Sequence, residues 1–183
     1  MKYKTLIADP PWKYDNKRTG GTLKSGSSQH YQTLSLDEIC SLPIKDIMDR
    51  DSICFLWVTV PLIHQCGFQT LEAWGYQYKT MLIWHKKNLE MGFWFRGGIE
   101  VCLLGVKGKV KPFHYQKANF IESNITKHSK KPEEFYDLIK PIILNPSIEL
   151  FATKKREWDC VGFEIDGKDI KETLTNIIIS NKE

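Results

Sequence analysis

Two apolar runs constrain this chain most, Cys54-Phe-Leu-Trp-Val58 and Val101-Cys-Leu-Leu-Gly-Val106. Neither alternates polar with apolar residues, so a strand built from either is expected to be covered on both faces. Helix-like segments fall between further strand-like runs. That alternation predicts an α/β fold, a sheet flanked by helices. Strands are expected at Lys4–Ala8, Ser52–Val58, Tyr78–Trp84, Ile99–Val106, Phe120–Ile125, Ile148–Ala152 and Cys160–Ile165. With 183 residues, one core-forming domain is expected, over residues 1–166. Residues 167–183 read as a C-terminal tail with a short helix.

Helix signals are local and chemical. Ser35-Leu-Asp-Glu38 is a capping box, in which hydroxyl and carboxylate each satisfy a free backbone N–H. Pro61–Trp74 begins with the residue best suited to a first turn and is followed by Gly75. In Pro132–Lys140, Glu133 and Glu134 suit the positive end of the helix dipole, while Phe135, Leu138, Ile139 and Ile142 form an apolar stripe. Two segments, Lys13–Tyr31 and Lys86–Gly98, fit neither pattern. Loops of that length inside a domain are functional or disordered.

Five scattered cysteines lack zinc-site spacing, so neither disulfides nor a metal is expected. A reducing, cytoplasmic setting follows. No signal peptide is visible, and the longest apolar run, Ile53–Ile63, is too short to span a bilayer. The net charge of +4 is compatible with a polyanionic partner.

The first expected strand ends at Asp9-Pro10-Pro11-Trp12. In open sheets, ligands bind beyond the carboxyl ends of strands. The plain structural explanation is an Asp that caps a turn, prolines that stiffen it and a Trp that fills a hole. A chemical one also exists. The 6-amino group of adenine delocalises its lone pair into the ring and attacks poorly. A carboxylate (Asp9) and a rigid carbonyl (Pro10, held by Pro11) could accept its N–H bonds and favour the positive charge that develops on attack. Trp12 could offer a face for the base.

Asp9-Pro10-Pro11-Trp12 resembles the catalytic motif of the MT-A family of N(6)-adenine methyltransferases, which use S-adenosylmethionine. The likeness continues, in family order, through His30–Ile39, Phe55–Thr59, Trp74–Tyr76, Ile83–Lys86, Glu100–Gly108, His128–Glu133, Ile148–Ala152 and Gly162–Glu164. The family is permuted, with the catalytic strand before the cofactor strand. The resemblance implies a Rossmann-like class I methyltransferase sheet in that permuted order. It implies cofactor contacts from Ala8, Asp9, Ser129, Lys131, Glu149, Phe151, Gly162 and Glu164. Of these, Glu164 is suited to the ribose hydroxyls and Lys131 to the methionine carboxylate. It also implies substrate contacts from Trp12, Tyr31, Trp57, Lys86 and Arg96. Read without the resemblance, Trp57 is a buried strand residue, Phe151 is core and Glu164 is an edge acid. Thr153 stands where the family commonly has Arg, and Phe163 where it commonly has Asn.

The expected reaction is methyl transfer to the 6-amino group of adenine in DNA, with RNA as the alternative substrate and a non-catalytic nucleic-acid-binding subunit as the alternative class. Lys13, Lys17, Arg18, Lys24 and Arg96, interleaved with Phe93, Trp94 and Phe95, suit a splayed nucleic-acid strand. No separate target-recognition domain is evident, so a homodimer or a second subunit is an expected partner.

Overall fold

The computed structural model describes residues 1–13, 33–90, 94–124 and 130–181. A seven-stranded mixed sheet runs through it in the order β5-β3-β4-β2-β1-β6-β7. The strands are β1 (Tyr3–Ala8), β2 (Met48–Thr59), β3 (Gln77–Glu90), β4 (Gly97–Lys107), β5 (Phe120–Ser123), β6 (Ser147–Leu150) and β7 (Asp159–Val161). The central strand β1 lies between β2 and β6 and is parallel to both.

Alternation along the central strands divides the core into two layers. Leu6, Ala8, Cys54, Leu56 and Val58 face one layer, packed with Ile39, Leu71, Trp74 and Leu174. Ile7, Ile53, Phe55 and Trp57 face the other, packed with Phe135 and Ile139. Thus the CFLWV run is buried on both faces, as its composition requires. Phe135 sits edge-on to Trp57 at 4.9 Å between ring centres. Truncating such a residue to Ala removes about 3–5 kcal/mol.

Helices α1 (Leu36–Cys40), α2 (Ile44–Ile47), α3 (Phe68–Ala73) and α6 (Ile170–Ser180) flank the first layer, and α4 (Glu133–Ile139) the second. The capping box at Ser35 and Glu38 forms reciprocally. The segment expected as one helix from Pro61 is three: a tight turn at Val60–Leu62, a wide turn at Ile63–Gly67, then α3. Gly75 follows at φ +86°, a conformation that favours glycine. Pro132 sits just before α4 rather than in its first turn. Helix α6 is capped by Asp169, and its Ile170 and Leu174 belong to the β1 core. Among the described residues, no helix is long and apolar enough to cross a membrane.

β4 runs antiparallel to both neighbours, and a short connection makes β3–β4 a hairpin. Much of Lys86–Gly98 is therefore strand: β3 continues to Glu90 and β4 begins at Gly97, with Met91–Phe93 outside the described residues. Cys160–Ile165 is not one strand. β7 stops at Val161, and α5 (Phe163–Asp166) follows Gly162. The sheet thus brings the ends of β1, β2, β6 and β7 and the start of β4 to one edge, where Thr59 pairs with Glu100.

Candidate active site

A cleft of about 570 Å³ opens along that edge, within the range that holds a small organic ligand. One wall is the turn after β1. Asp9, Pro10, Pro11 and Trp12 all line the cleft. The turn is fixed by its own backbone: Trp12 N–H donates to the Pro10 carbonyl at 2.8 Å, and Leu34 N–H to the Pro11 carbonyl at 2.9 Å. The Trp12 indole donates to the Trp57 carbonyl at 3.1 Å, so the ring is seated on β2 as well as bordering the cleft. The Pro10 carbonyl keeps a second lone pair for another donor.

Asp9 meets Lys131, whose ammonium lies 2.8 Å from one carboxylate oxygen and 3.0 Å from Glu100. Glu100 also takes Lys86 at 2.6 Å, and Lys86 takes Glu90 at 2.5 Å. Three carboxylates and two ammonium groups thus alternate in a chain with one negative charge in excess. Close to a third of the Asp9 side chain, 31%, faces the cleft. Burial on its other sides pushes the carboxyl above the usual range, and Lys131 offsets part of that. Burial works against charge at Glu100 too, but Lys131 and Lys86 together hold it below the usual range. Lys131 stays protonated because Asp9 and Glu100 outweigh its own desolvation. The Trp57 ring beneath adds a cation–π contact at 5.3 Å.

The opposite wall comes from the ends of β6 and β7. Phe151 has φ +61°, an outlier for a bulky residue and a form of strain that clusters at ligand sites. Gly162 is required by contact: a Cβ there would lie 2.7 Å from the Ala152 carbonyl oxygen and 2.8 Å from its nitrogen. Glu164 borders the cleft beside Phe163, whose ring is 73% exposed.

The expected residues divide by position. Asp9, Pro10, Pro11, Trp12, Lys131, Phe151, Gly162 and Glu164 meet at the cleft. Ser129 and Tyr31, with Lys17, Arg18, Lys24 and Phe93, lie outside the described residues. Ala8 is wholly buried beneath Asp9. Trp57, expected at the substrate, is 1% exposed and is screened from the cleft by Lys131. Lys86 is buried behind Glu100 rather than at a strand end. Arg96 stands in the β3–β4 turn, away from the cleft lining. Glu149 faces α4, where the Tyr136 hydroxyl and the Trp158 indole donate to its oxygens at 2.8 and 3.0 Å. Glu100 and Phe163 also line the cleft. Glu100 stands at the start of an apolar run, and Phe163 stands directly before Glu164, where the family commonly has Asn.

Sheet order and cleft position are consistent with a Rossmann-like methyltransferase fold. Within that class the MT-A70 family signature matches residues 3–164, and the chain belongs to the MT-A70 family. The family uses S-adenosylmethionine as methyl donor. The chain is 32% identical to the human N(6)-adenosine-methyltransferase catalytic subunit METTL3, over 91% of this chain and 29% of that protein. A Drosophila melanogaster N(6)-adenosine-methyltransferase MT-A70-like protein is 31% identical, again over 91% of this chain but 27% of its own length. The Type II methyltransferase M.MunI of a Mycoplasma species is 30% identical over 99% of this chain and 85% of its own length. The chain therefore spans under a third of METTL3 and most of M.MunI.

Proposed function

We propose that the protein methylates the 6-amino group of adenine in DNA, with S-adenosylmethionine as donor. The observation that carries this reading is Asp9 with one carboxylate oxygen on Lys131, beside a rigid Pro10 carbonyl, at the mouth of the cleft. The cleft suits the cofactor in volume and chemistry. Glu164 would accept from the ribose hydroxyls, Phe151 and Phe163 would flank the purine, and Gly162 would let the ligand approach the backbone. When bound, the cofactor supplies an electrophilic methyl group on a sulfonium.

The chain's own residues do the rest. Asp9 and the Pro10 carbonyl accept the two N–H bonds of the amine and aim its lone pair. The Asp9 carboxylate favours the positive charge on nitrogen, whose proton leaves after the new C–N bond has formed. For that, Lys131 must release Asp9. A ligand carboxylate entering beside it would take over that ion pair, and Glu100 keeps the ammonium in place during the exchange.

DNA is favoured because this chain spans nearly the whole of a Type II methyltransferase. RNA is the second reading, supported by the likeness to N(6)-adenosine methyltransferases. Incubation with labelled S-adenosylmethionine and matched DNA and RNA pools, followed by nucleoside analysis, tests both. N(6)-methyldeoxyadenosine that disappears with Asp9→Ala is expected. N(6)-methyladenosine from RNA alone would move the substrate. A normally active Asp9→Ala would sink the assignment.

A further inference from the structure

Two walls of the cleft come from separate segments of chain. Lys131 stands just before α4, while Phe151, Ala152 and Thr153 belong to the loop 151–158 between β6 and β7. One side chain of that loop grips the other segment. Arg156 gives both terminal nitrogens to the Glu133 carboxylate, at 2.9 and 3.2 Å, and only Pro132 separates Glu133 from Lys131. The guanidinium lies 3.1 Å over the Tyr136 ring of α4, and its Nε stands 3.5 Å from Glu149 on β6. Stability explains this arrangement poorly. Glu133 is 60% exposed, so water screens its pair with Arg156. The Nε is buried without a hydrogen bond. Desolvation of a guanidinium so incompletely matched offsets much of what the pairs gain. Geometry is what the arrangement secures: a planar fork set on a carboxylate and a ring fixes distance and orientation together.

We infer that Arg156 is a positioning residue that sets the span between the two ends of the methyl donor's site. This rests on the placement of S-adenosylmethionine proposed above, with its carboxylate toward Lys131 and its adenosine toward Phe151 and Glu164. A ligand that reaches both ends gains from both only when their separation matches its own length. Lys131 is tied by side chain to Asp9 and Glu100, and in the proposed exchange it gives up Asp9. Its position then depends more on the backbone that carries it. The Glu133–Arg156 fork anchors that backbone, two residues away, to the loop of the opposite wall. Lys154 of the same loop reaches Glu133 as well, at 3.2 Å, but from an exposed position and with a single nitrogen.

Two thioethers separate positioning from general support of the wall. S-adenosylhomocysteine reaches both ends of the site. Methylthioadenosine has the same nucleoside and sulfur but lacks the amino-acid end. By titration calorimetry on the full chain, Arg156→Met should bind S-adenosylhomocysteine roughly tenfold more weakly and methylthioadenosine as wild type does. KM for S-adenosylmethionine should rise by a similar factor while kcat holds. Glu133→Ala removes the exposed partner and leaves Arg156 on Tyr136 and beside Glu149, so it serves even where Arg156→Met fails to fold. It should show the same split between the two ligands, and the double variant should be no worse than the weaker single one. Arg156→Lys should resemble Arg156→Met, because one ammonium cannot reproduce the fork. Equal weakening of both thioethers would mean a loosened wall and overturns the inference alone. So does wild-type affinity for S-adenosylhomocysteine in folded Arg156→Met or Glu133→Ala. Wild-type protein that binds the two thioethers equally well makes no contact with the amino-acid end, which overturns the Lys131 placement and this inference together.

Discussion

Asp9 and Glu149 make an instructive pair. Glu149 lies on β6 and Asp9 directly follows the adjacent β1, and burial raises both carboxyls. Each has a cation near it, Lys131 at 2.8 Å from Asp9 and Arg156 at 3.5 Å from Glu149. Their surroundings then diverge. Glu149 is 6% exposed, and Tyr136 and Trp158 close over its oxygens, with Arg156 stacked on the Tyr136 ring. Asp9 has Lys131 on one oxygen and a cleft in front of it. Residue type and depth are shared. On the proposed function, what separates the structural acid from the reactive one is whether an incoming donor can reach it.

Four measurements sharpen or break that contrast. Asp9→Asn should reduce methyl transfer by at least about 10³-fold, since it removes the charge that favours the transition state, while cofactor affinity stays within a few-fold. Equal loss in a Glu149 variant would abolish the distinction. Lys131→Met comes next. It leaves Asp9 and Glu100 without their shared cation and should cost about 3–5 kcal/mol of stability by denaturant melting. It should also move the acid limb of the pH–rate profile upward, because Asp9 loses its nearest positive charge. Arg156→Met should leave that limb where it is. Glu149→Met strands the Tyr136 hydroxyl and the Trp158 indole, so a loss of about 2–4 kcal/mol is expected, with turnover per folded molecule near wild type.

The smallest effect concerns pH and sign. Burial raises the Asp9 carboxyl above its unfolded value, so the ionised form opposes folding at neutral pH. As pH falls through the raised value, the folded state takes up the proton and that opposition is withdrawn; it is gone below about 3.9. Asp9→Asn should therefore melt higher than wild type near pH 7, with the gap closing toward pH 4. A variant that melts lower at pH 7 would show that the Lys131 pair outweighs burial.

The sequence displayed some of this and hid the rest for physical reasons. Cys54–Val58 declared itself because burial on both faces leaves no polar residue to interrupt the run. Asp9–Trp12 was legible because two prolines and the strand before them act over a few bonds. The β3–β4 hairpin was not, since glycines and aromatics between Lys86 and Gly98 follow neither strand nor helix spacing. Lys86 was expected at the substrate, because nothing local shows that cross-strand packing brings Glu100 to it. Gly162 broke the last expected strand because of the Ala152 backbone, a neighbour that sequence spacing does not reveal. Trp57 was ambiguous for the same reason: Phe135 and Trp84, both distant in sequence, cover it.

The turn after β1 has one more consequence, and it is entropic. Pro10 and Pro11 have fixed φ, and the Trp12 and Leu34 amides tie the turn to itself and to its neighbour. Ordering a residue's backbone costs about 1–2 kcal/mol, and here that cost falls on folding instead of on the encounter with substrate. On the proposed function, an adenine arriving there would meet the Pro10 carbonyl already in position, so little of its binding energy would go into arranging the backbone. Pro11→Ala should keep these contacts in the bound state yet weaken binding through a less favourable entropy, visible by calorimetry.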